Sequence, residues 1–500
     1  MVGVRLLRKK AMLRFQNTYA RLPDRFYARL SPTPVRAPRL VKVNRALAEQ
    51  LGEGSEFLES PAGVEVLAGN VVPEGAEPLA QAYAGHQFGH FVAKLGDGRA
   101  ILLGEVVGTD GRRRDVQLKG AGRTPFSRRG DGRAALGPVL REYVVSEAMT
   151  ALGIPATRAL AAVTTGEPVI RDGLLPGAVL ARVAASHLRI GTFQYFANLG
   201  DTEALRLLTT YALERHYPDA LGTGEDALAL LDAVIAAQAK LVARWLGVGF
   251  VHGVMNTDNM AISGETLDFG PCAFLDEFDP GKTFSSIDEG GRYAFANQPR
   301  IALWNLARLG EALLPLVGGD PDHAVRRATE RLERFEPLFE RTHLDVLRAK
   351  LGLERAEDGD AALVEGLLPR LAAAGVDYTV FFRRLSGALE PTGDASVAAL
   401  FGGDQAPVRD WLGGWRRRLE REPTGETPRA TLMQRSNPAL IPRNHRIEQA
   451  IDAAVQRGDF GPFETLNAAL AEPYVERPEH AELAEPPRPE ERVRATFCGT

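Results

Sequence analysis

The sequence predicts an α+β chain in which a small antiparallel-sheet lobe precedes a larger helical lobe. Two observations carry this. From Phe88 onward, short apolar runs alternate with glycine turns. Phe91-Val92-Ala93-Lys94-Leu95 enters Gly96-Asp97-Gly98, Ala100-Ile101-Leu102-Leu103 leads to Thr109-Asp110-Gly111, and Val116-Gln117-Leu118-Lys119 follows. That is the spacing of an antiparallel meander. Further on, Leu228, Leu231, Ile235, Val242 and Trp245 recur at helical spacing and mark a buried helix from Glu225 to Leu246.

The remaining elements follow in order. The first eighty residues are punctuated by proline, as in Ser31-Pro32-Thr33-Pro34, and read as irregular apart from a short helix at Val43 to Leu51. After the meander, Leu140, Val144, Ala148 and Leu152 share one helical face, and Gly153-Ile154-Pro155 stops that helix. Strands are expected near Leu160 to Thr164 and Ala178 to Val183, then helices at Pro299 to Leu314, His323 to Leu351 and Ala361 to Ala373. Past Arg421 proline and charge dominate, and Glu482 to Glu491 reads as a solvated tail. The expected boundaries are an N-terminal extension over 1–80, the sheet lobe over 81–185, the helical lobe over 186–420 and a C-terminal extension with tail over 421–500.

Composition narrows the function. The 500 residues carry a net charge of −4, so no excess of positive charge is available to coat a nucleic acid. Cys272 and Cys498 are the two cysteines, too few for a disulfide scaffold or a thiolate zinc site. The most apolar stretch, Ala227 to Val251, is broken by Asp232, Lys240 and Arg244, which excludes a membrane span. No secretory h-region follows the basic start, and the expected location is cytoplasmic. Eight of the 60 basic residues are lysine, so each lysine draws notice.

Several motifs bear on chemistry. Gly130-Asp131-Gly132-Arg133-Ala134-Ala135 has dinucleotide-type glycine spacing but no preceding strand, leaving a phosphate loop at a helix start as its better use. His86-Gln87-Phe88-Gly89-His90 lacks the glutamate of a zinc peptidase, so both histidines read as structural. Lys119 closes a strand beside Gly120-Ala121-Gly122 and precedes a helix with Glu142 and Glu147. A strand lysine oriented by a helix glutamate is how kinases hold nucleotide phosphates. His252-Gly253-Val254-Met255-Asn256-Thr257-Asp258-Asn259, followed by Asp268-Phe269-Gly270, keeps the register of a kinase catalytic loop and its metal-binding triplet. Val254 stands where a kinase has its base aspartate, which argues against ordinary γ-phosphoryl transfer. The fold expected is therefore protein-kinase-like and two-lobed.

The chain closely resembles the selenoprotein O (YdiU) family of protein adenylyltransferases. The resemblance rests on Asn17-Thr18-Tyr19-Ala20, Tyr83 to His90, Asp115 to Gly122, Gly253 to Met260 and Ile441-Pro442-Arg443-Asn444-His445. It implies transfer of AMP from ATP to Ser, Thr or Tyr hydroxyls of proteins, with ATP flipped relative to kinases. Carried over by motif, Gly96, Gly98, Arg99, Lys119, Asp131, Gly132, Arg182 and Arg189 bind nucleotide. Asn259 and Asp268 hold Mg²⁺ or Mn²⁺, and Asp258 accepts the proton. Catalytic roles are thus expected for Asp258, Lys119 and its partner, with Glu142 preferred and Glu147 open. Partners would be ATP and protein substrates, with neither nucleic acid nor membrane. UMP transfer from UTP, an ordinary kinase and a catalytically dead nucleotide-binding scaffold are the alternatives. Cys498 stands where eukaryotic relatives place selenocysteine, and a tail folding back to bond Cys272 under oxidation is a further expectation.

Overall fold

The computed structural model describes residues 13–171, 173–389, 391–423 and 425–496. Along the chain its strands are β1 (Tyr27–Arg29), β2 (Arg39–Val43), β3 (Leu79–Gln81), β4 (Gly85–Gln87), β5 (His90–Val92), β6 (Ala100–Val107), β7 (Arg113–Lys119), β8 (Ala134–Ala135), β9 (Arg158–Ile170), β10 (Leu174–Ala184), β11 (Phe250–Val251) and β12 (Ala273–Phe274). The main sheet runs β1-β3-β6-β7-β10-β9-β2, with β8 added on β10, and its paired strands are antiparallel. The chain is α+β, as expected.

The hairpins β6–β7 and β9–β10 match the sequence reading, and their register does useful work. Lys119 lies opposite Ala100 on one side and Leu180 on the other, in the middle of the sheet. Arg182 lies directly opposite Gln117. Two expectations are corrected. The strand foreseen at Phe91 to Leu95 is shorter and leaves the meander, pairing with β4 in a separate two-stranded sheet. Its place beside β6 is taken by β3. The first eighty residues are also not merely irregular, because β1 and β2 form the two edges of the main sheet. Edge strands need pair on one side only, so three to five residues between prolines suffice.

The Asn17-Thr18-Tyr19 motif explains itself here. Asn17 Oδ1 accepts from the Glu105 amide, while the Thr18 and Tyr19 amides donate to the Glu105 carboxylate at 2.8 and 2.6 Å. Gly104, beside that contact, sits at a bulge in β6, where a Cβ would lie 2.2 Å from Asn17 Oδ1.

The helices are α1 (Arg45–Gln50), α2 (Ser55–Leu58), α3 (Pro61–Leu67), α4 (Leu136–Ala151), α5 (Ile190–Asn198), α6 (Thr202–His216), α7 (Asp226–Gly247), α8 (Gln298–Leu313), α9 (Pro321–Leu332), α10 (Phe335–Lys350), α11 (Asp360–Ala374), α12 (Tyr378–Leu385), α13 (Asp394–Ala398), α14 (Ala406–Leu419), α15 (Glu426–Ser436), α16 (Asn444–Arg457), α17 (Gly461–Leu470) and α18 (Ala481–Ala484). α4 is buried nearly all round, between the sheet and the pair α16–α17. The long helix foreseen at His323 to Leu351 is two, α9 and α10, broken at Glu333-Arg334. Past Arg421 the C-terminal extension is helical, with α15 to α18, of which α16 and α17 pack on α4, whereas 482–491 is largely exposed, as foreseen. α7 and α8 reach the segment that matters most. Gln238 donates to the Ala261 carbonyl, Asn305 to that of Met255 and Gln298 to that of Phe250. Among the described residues no helix is long and apolar enough to cross a membrane.

Lys350, at the end of α10, is 2% exposed, with its ammonium 4.3 Å from the centre of the Phe382 ring. Burial pushes its pKa down to about 7. An amine held below its unfolded pKa binds fewer protons when folded, so its burial penalty is complete below pH 7 and fades as pH rises toward ~10.4. Lys350→Met is expected to raise Tm at neutral pH, with a gain that shrinks in alkaline buffer. Calorimetry from pH 6 to 10 checks this, and a lowered Tm at pH 7 would count against it.

Candidate active site

A cavity of about 720 Å³ opens between the sheet and the helices. Its floor is the end of β7, its sides the loop 96–99 and the loop 126–133, and its far wall residues 258–268. The lining holds eight cations, Lys119 and arginines 99, 128, 129, 133, 171, 182 and 189, against four aspartates, 97, 131, 258 and 268. That surplus suits a polyanion of phosphate type.

Lys119 organises the floor. Its ammonium lies 2.5 Å from Glu142 Oε2 on α4 and 3.0 Å from Asp268 Oδ1. Glu142 also takes Arg182 Nη1 on its other oxygen at 3.2 Å, and Arg182 Nη2 donates to Gln117 Oε1 at 2.6 Å. Glu147 points elsewhere, to Arg158 and Asn44, so the lysine's partner is Glu142. Burial raises the Asp268 carboxyl, but the opposing pull of Lys119 and Arg182 prevails and holds it well below the usual carboxylate range. Asp268 therefore remains a fixed anion.

Asp258 differs. Burial pushes its pKa up to about 6, against the opposing charge of Arg189. One oxygen, Oδ1, is buried without a hydrogen-bond partner, and Oδ2 lies 3.4 Å from Gln87 Nε2. Asn259 next to it donates through Nδ2 to the Val254 carbonyl, 3.0 Å away. His252 is buried among Trp245 and Phe250 and held neutral, its pKa lowered by burial to about 4. Arg189 donates to the carbonyls of His187 and Asp258, lies 3.7 Å from Asp97, and its guanidinium stacks 4.1 Å over Tyr83.

The structure brings the expected residues together. Gly96, Gly98, Arg99, Lys119, Asp131, Gly132, Arg182, Arg189, Asp258, Asn259 and Asp268 all line the one cavity, and Glu142 lies beneath it. Asp131 pairs with Arg171 at 2.9 Å. The glycine turns are sterically required: at Gly96 (φ 74°) a Cβ would lie 2.2 Å from the Phe126 ring, and at Gly132 (φ 71°) 2.2 Å from the Gly122 carbonyl. Sequence reasoning missed Tyr83, Gln87, Asp97, Gln117 and Phe126, whose roles arise from partners distant in the chain. Asp97 had a signal, standing between two glycines already singled out.

His86 is half-buried and bonded to Gln194, His90 is exposed, and no cluster of three metal-ligating side chains occurs among the described residues. Cys272 is buried, its thiol pushed up to about 12 by burial and donating to the Phe269 carbonyl. Cys498 lies outside the described residues.

Comparison with known proteins places the chain. The family model described as protein adenylyltransferase SelO matches residues 9–471. A relative named protein nucleotidyltransferase YdiU, from Bradyrhizobium sp. (strain BTAi1), is 62% identical over 486 residues, covering 97% of this chain and 99% of its own. Relatives of the same name from Methylorubrum populi and Rhizobium etli are 60% identical over 497 residues and 58% over 494. They cover 98% and 99% of this chain, and 100% and 98% of their own.

Glu142 neutralises two buried cations, so removing it leaves Arg182 without its carboxylate and Lys119 with Asp268 alone. Glu142→Ala is expected to cost about 3–5 kcal/mol, read as a lower urea midpoint. Glu147→Ala, whose partners are more exposed, should cost less. Equal losses would mean that Glu142 is not the keystone of the floor.

Proposed function

The chain belongs to the SelO family of protein adenylyltransferases and is a nucleotidyltransferase, and from that premise we propose that it moves AMP from ATP to Ser, Thr or Tyr hydroxyls of proteins, itself included. We also read its architecture as kinase-like, with the sheet lobe over 81–185, the helical lobe over 186–420 and extensions on either side. The observation that carries the reading is Lys119 between Glu142 and Asp268, at the floor of a cavity with a surplus of cations. This is the arrangement that holds a nucleotide's phosphates.

Asn259 and Asp268 are the residues that would hold Mg²⁺ or Mn²⁺. An amide oxygen and a fixed carboxylate are hard donors suited to these ions, and two protein ligands leave the rest of the shell to phosphate oxygens and water. The bound ion supplies positive charge against the phosphates during transfer. Lys119 and Arg182 hold the Asp268 carboxyl well below the usual carboxylate range, which favours the ionised form that a cation needs.

The step itself needs a hydroxyl to lose its proton. Val254 has no group to accept it, whereas Asp258 is a carboxylate that lines the same cavity. The acceptor oxygen bonds to the α-phosphorus, its proton passes to Asp258, the α–β phosphoanhydride bond breaks, and pyrophosphate leaves. Arg189 braces the Asp258 backbone by donating to its carbonyl.

With ATP labelled separately at the α- and γ-phosphate, protein should take label from the first and not the second. Transfer of γ-label alone would mean a kinase, and transfer of neither a scaffold; UTP labelled at the α-phosphate gauges nucleotide choice in the same assay.

Substitution separates two roles. Asp268→Ala should abolish transfer and weaken metal-dependent ATP binding, because a charged ligand is lost. Asp258→Ala should slow transfer by ~100-fold or more while leaving ATP affinity nearly unchanged. Equal loss of affinity in both, measured by calorimetric titration, would make Asp258 a ligand rather than a proton acceptor.

A further inference from the structure

The β4–β5 hairpin is fastened to the loop that carries Asp258 by contacts that packing alone does not require. The His86 amide donates to Thr257 Oγ1 at 2.7 Å, Thr257 Oγ1 donates to Gln194 Oε1 at 2.6 Å, and Gln194 Nε2 meets His86 Nδ1 at 2.8 Å, closing a ring. The Phe88 amide donates to Asn256 Oδ1 at 3.0 Å, and the Tyr293 hydroxyl donates to that same oxygen at 2.7 Å.

The turn is strained. Phe88 (φ 52°) and Gly89 (φ 86°) are successive left-handed residues, a conformation a phenylalanine takes at a cost of about 1–3 kcal/mol. The Phe88 ring is retained against Tyr293, 5.2 Å between centres. On the strand before the turn, Gly85 presses against the carboxylate, where an added Cβ would lie 2.5 Å from Asp258 Oδ1. The hairpin and the loop thus form one unit, and Gln87 projects from it into the cavity beside Asp258 Oδ2.

We infer that this hairpin orients the acceptor hydroxyl, with Gln87 as the positioning residue beside the proton acceptor; the inference rests on the nucleotidyl-transfer reading. A hydroxyl seated alongside the pair donates its proton to Asp258 Oδ2 and accepts the second N–H of Gln87 Nε2 on one lone pair, leaving the other to attack the α-phosphorus. Proton, new P–O bond and departing pyrophosphate are those of the step already described. A carboxamide suits this place, because it donates without adding a second negative charge beside phosphates.

The test follows self-modification with α-labelled ATP in wild type, Gln87→Ala and the near-isosteric Gln87→Met, with ATP affinity and free AMP release measured in parallel. Both variants should lose ~10- to ~100-fold in transfer and keep ATP affinity within about twofold. The share of consumed ATP released as AMP should rise, because water then competes with a poorly held hydroxyl. Wild-type transfer by Gln87→Met would overturn the inference, as would transfer and ATP affinity lost together, or transfer and AMP release falling in proportion. Absence of α-label transfer in the wild type would overturn the parent reading and this one with it.

Discussion

The interaction on which the site depends is the double claim on Glu142. One carboxylate on α4 neutralises a lysine from β7 and an arginine from β10, and the lysine in turn holds Asp268. Burying so much charge is costly unless every member is paired, and the low dielectric beneath the sheet makes each contact directional as well as strong. Strand register, helix position and the placement of the far wall all have to agree for the set to close. Around it most of the lining cations have acid partners of their own, Arg171 with Asp131, Arg133 with Glu167 and Arg189 with Asp97.

Arginine usage is part of the same physics. The chain places Arg141, Arg182, Arg189, Arg418 and Arg443 in nearly buried positions, each serving several acceptors. A planar fork with five donors can do this, whereas a lysine is a single point of charge. Lys119 stands where two carboxylates converge on one ammonium, the geometry a lysine fits better. Lys350 has no such company among the described residues and is held by aromatic faces instead.

How far this was legible in the sequence depends on whether the signal was local. The hairpins β6–β7 and β9–β10, α4 and α7 could be read because period and turn residues lie within a few positions of each other. Lys119, Asn259 and Asp268 were legible by spacing within motifs. The edge strands β1 and β2 were not, because three to five residues among prolines carry no periodicity and gain their state from partners far along the chain. The break between α9 and α10 has neither glycine nor proline at Glu333-Arg334 to announce it. The bounds of α15 to α17 were not legible past Arg421, where proline and charge dominate, since sequence does not tell a buried arginine from an exposed one. Tyr83 and Asp97 escaped notice for the same reason, as Arg189, the group that gives them meaning, is remote in sequence.

The burial of α4 on both faces carries a consequence for control. Behind the glutamate-bearing face, the Tyr143 ring meets Phe463, Arg141 binds Glu448, and the Tyr474 hydroxyl donates to the carbonyl of Leu152, the residue capping the helix. In enzymes that switch by swinging such a helix outward, its rear is open and a partner or phosphate decides its pose. Here the chain's own last helices occupy that space, so the lysine–glutamate contact is assembled as part of folding. Activity would be governed by what reaches the cavity rather than by whether the cavity exists.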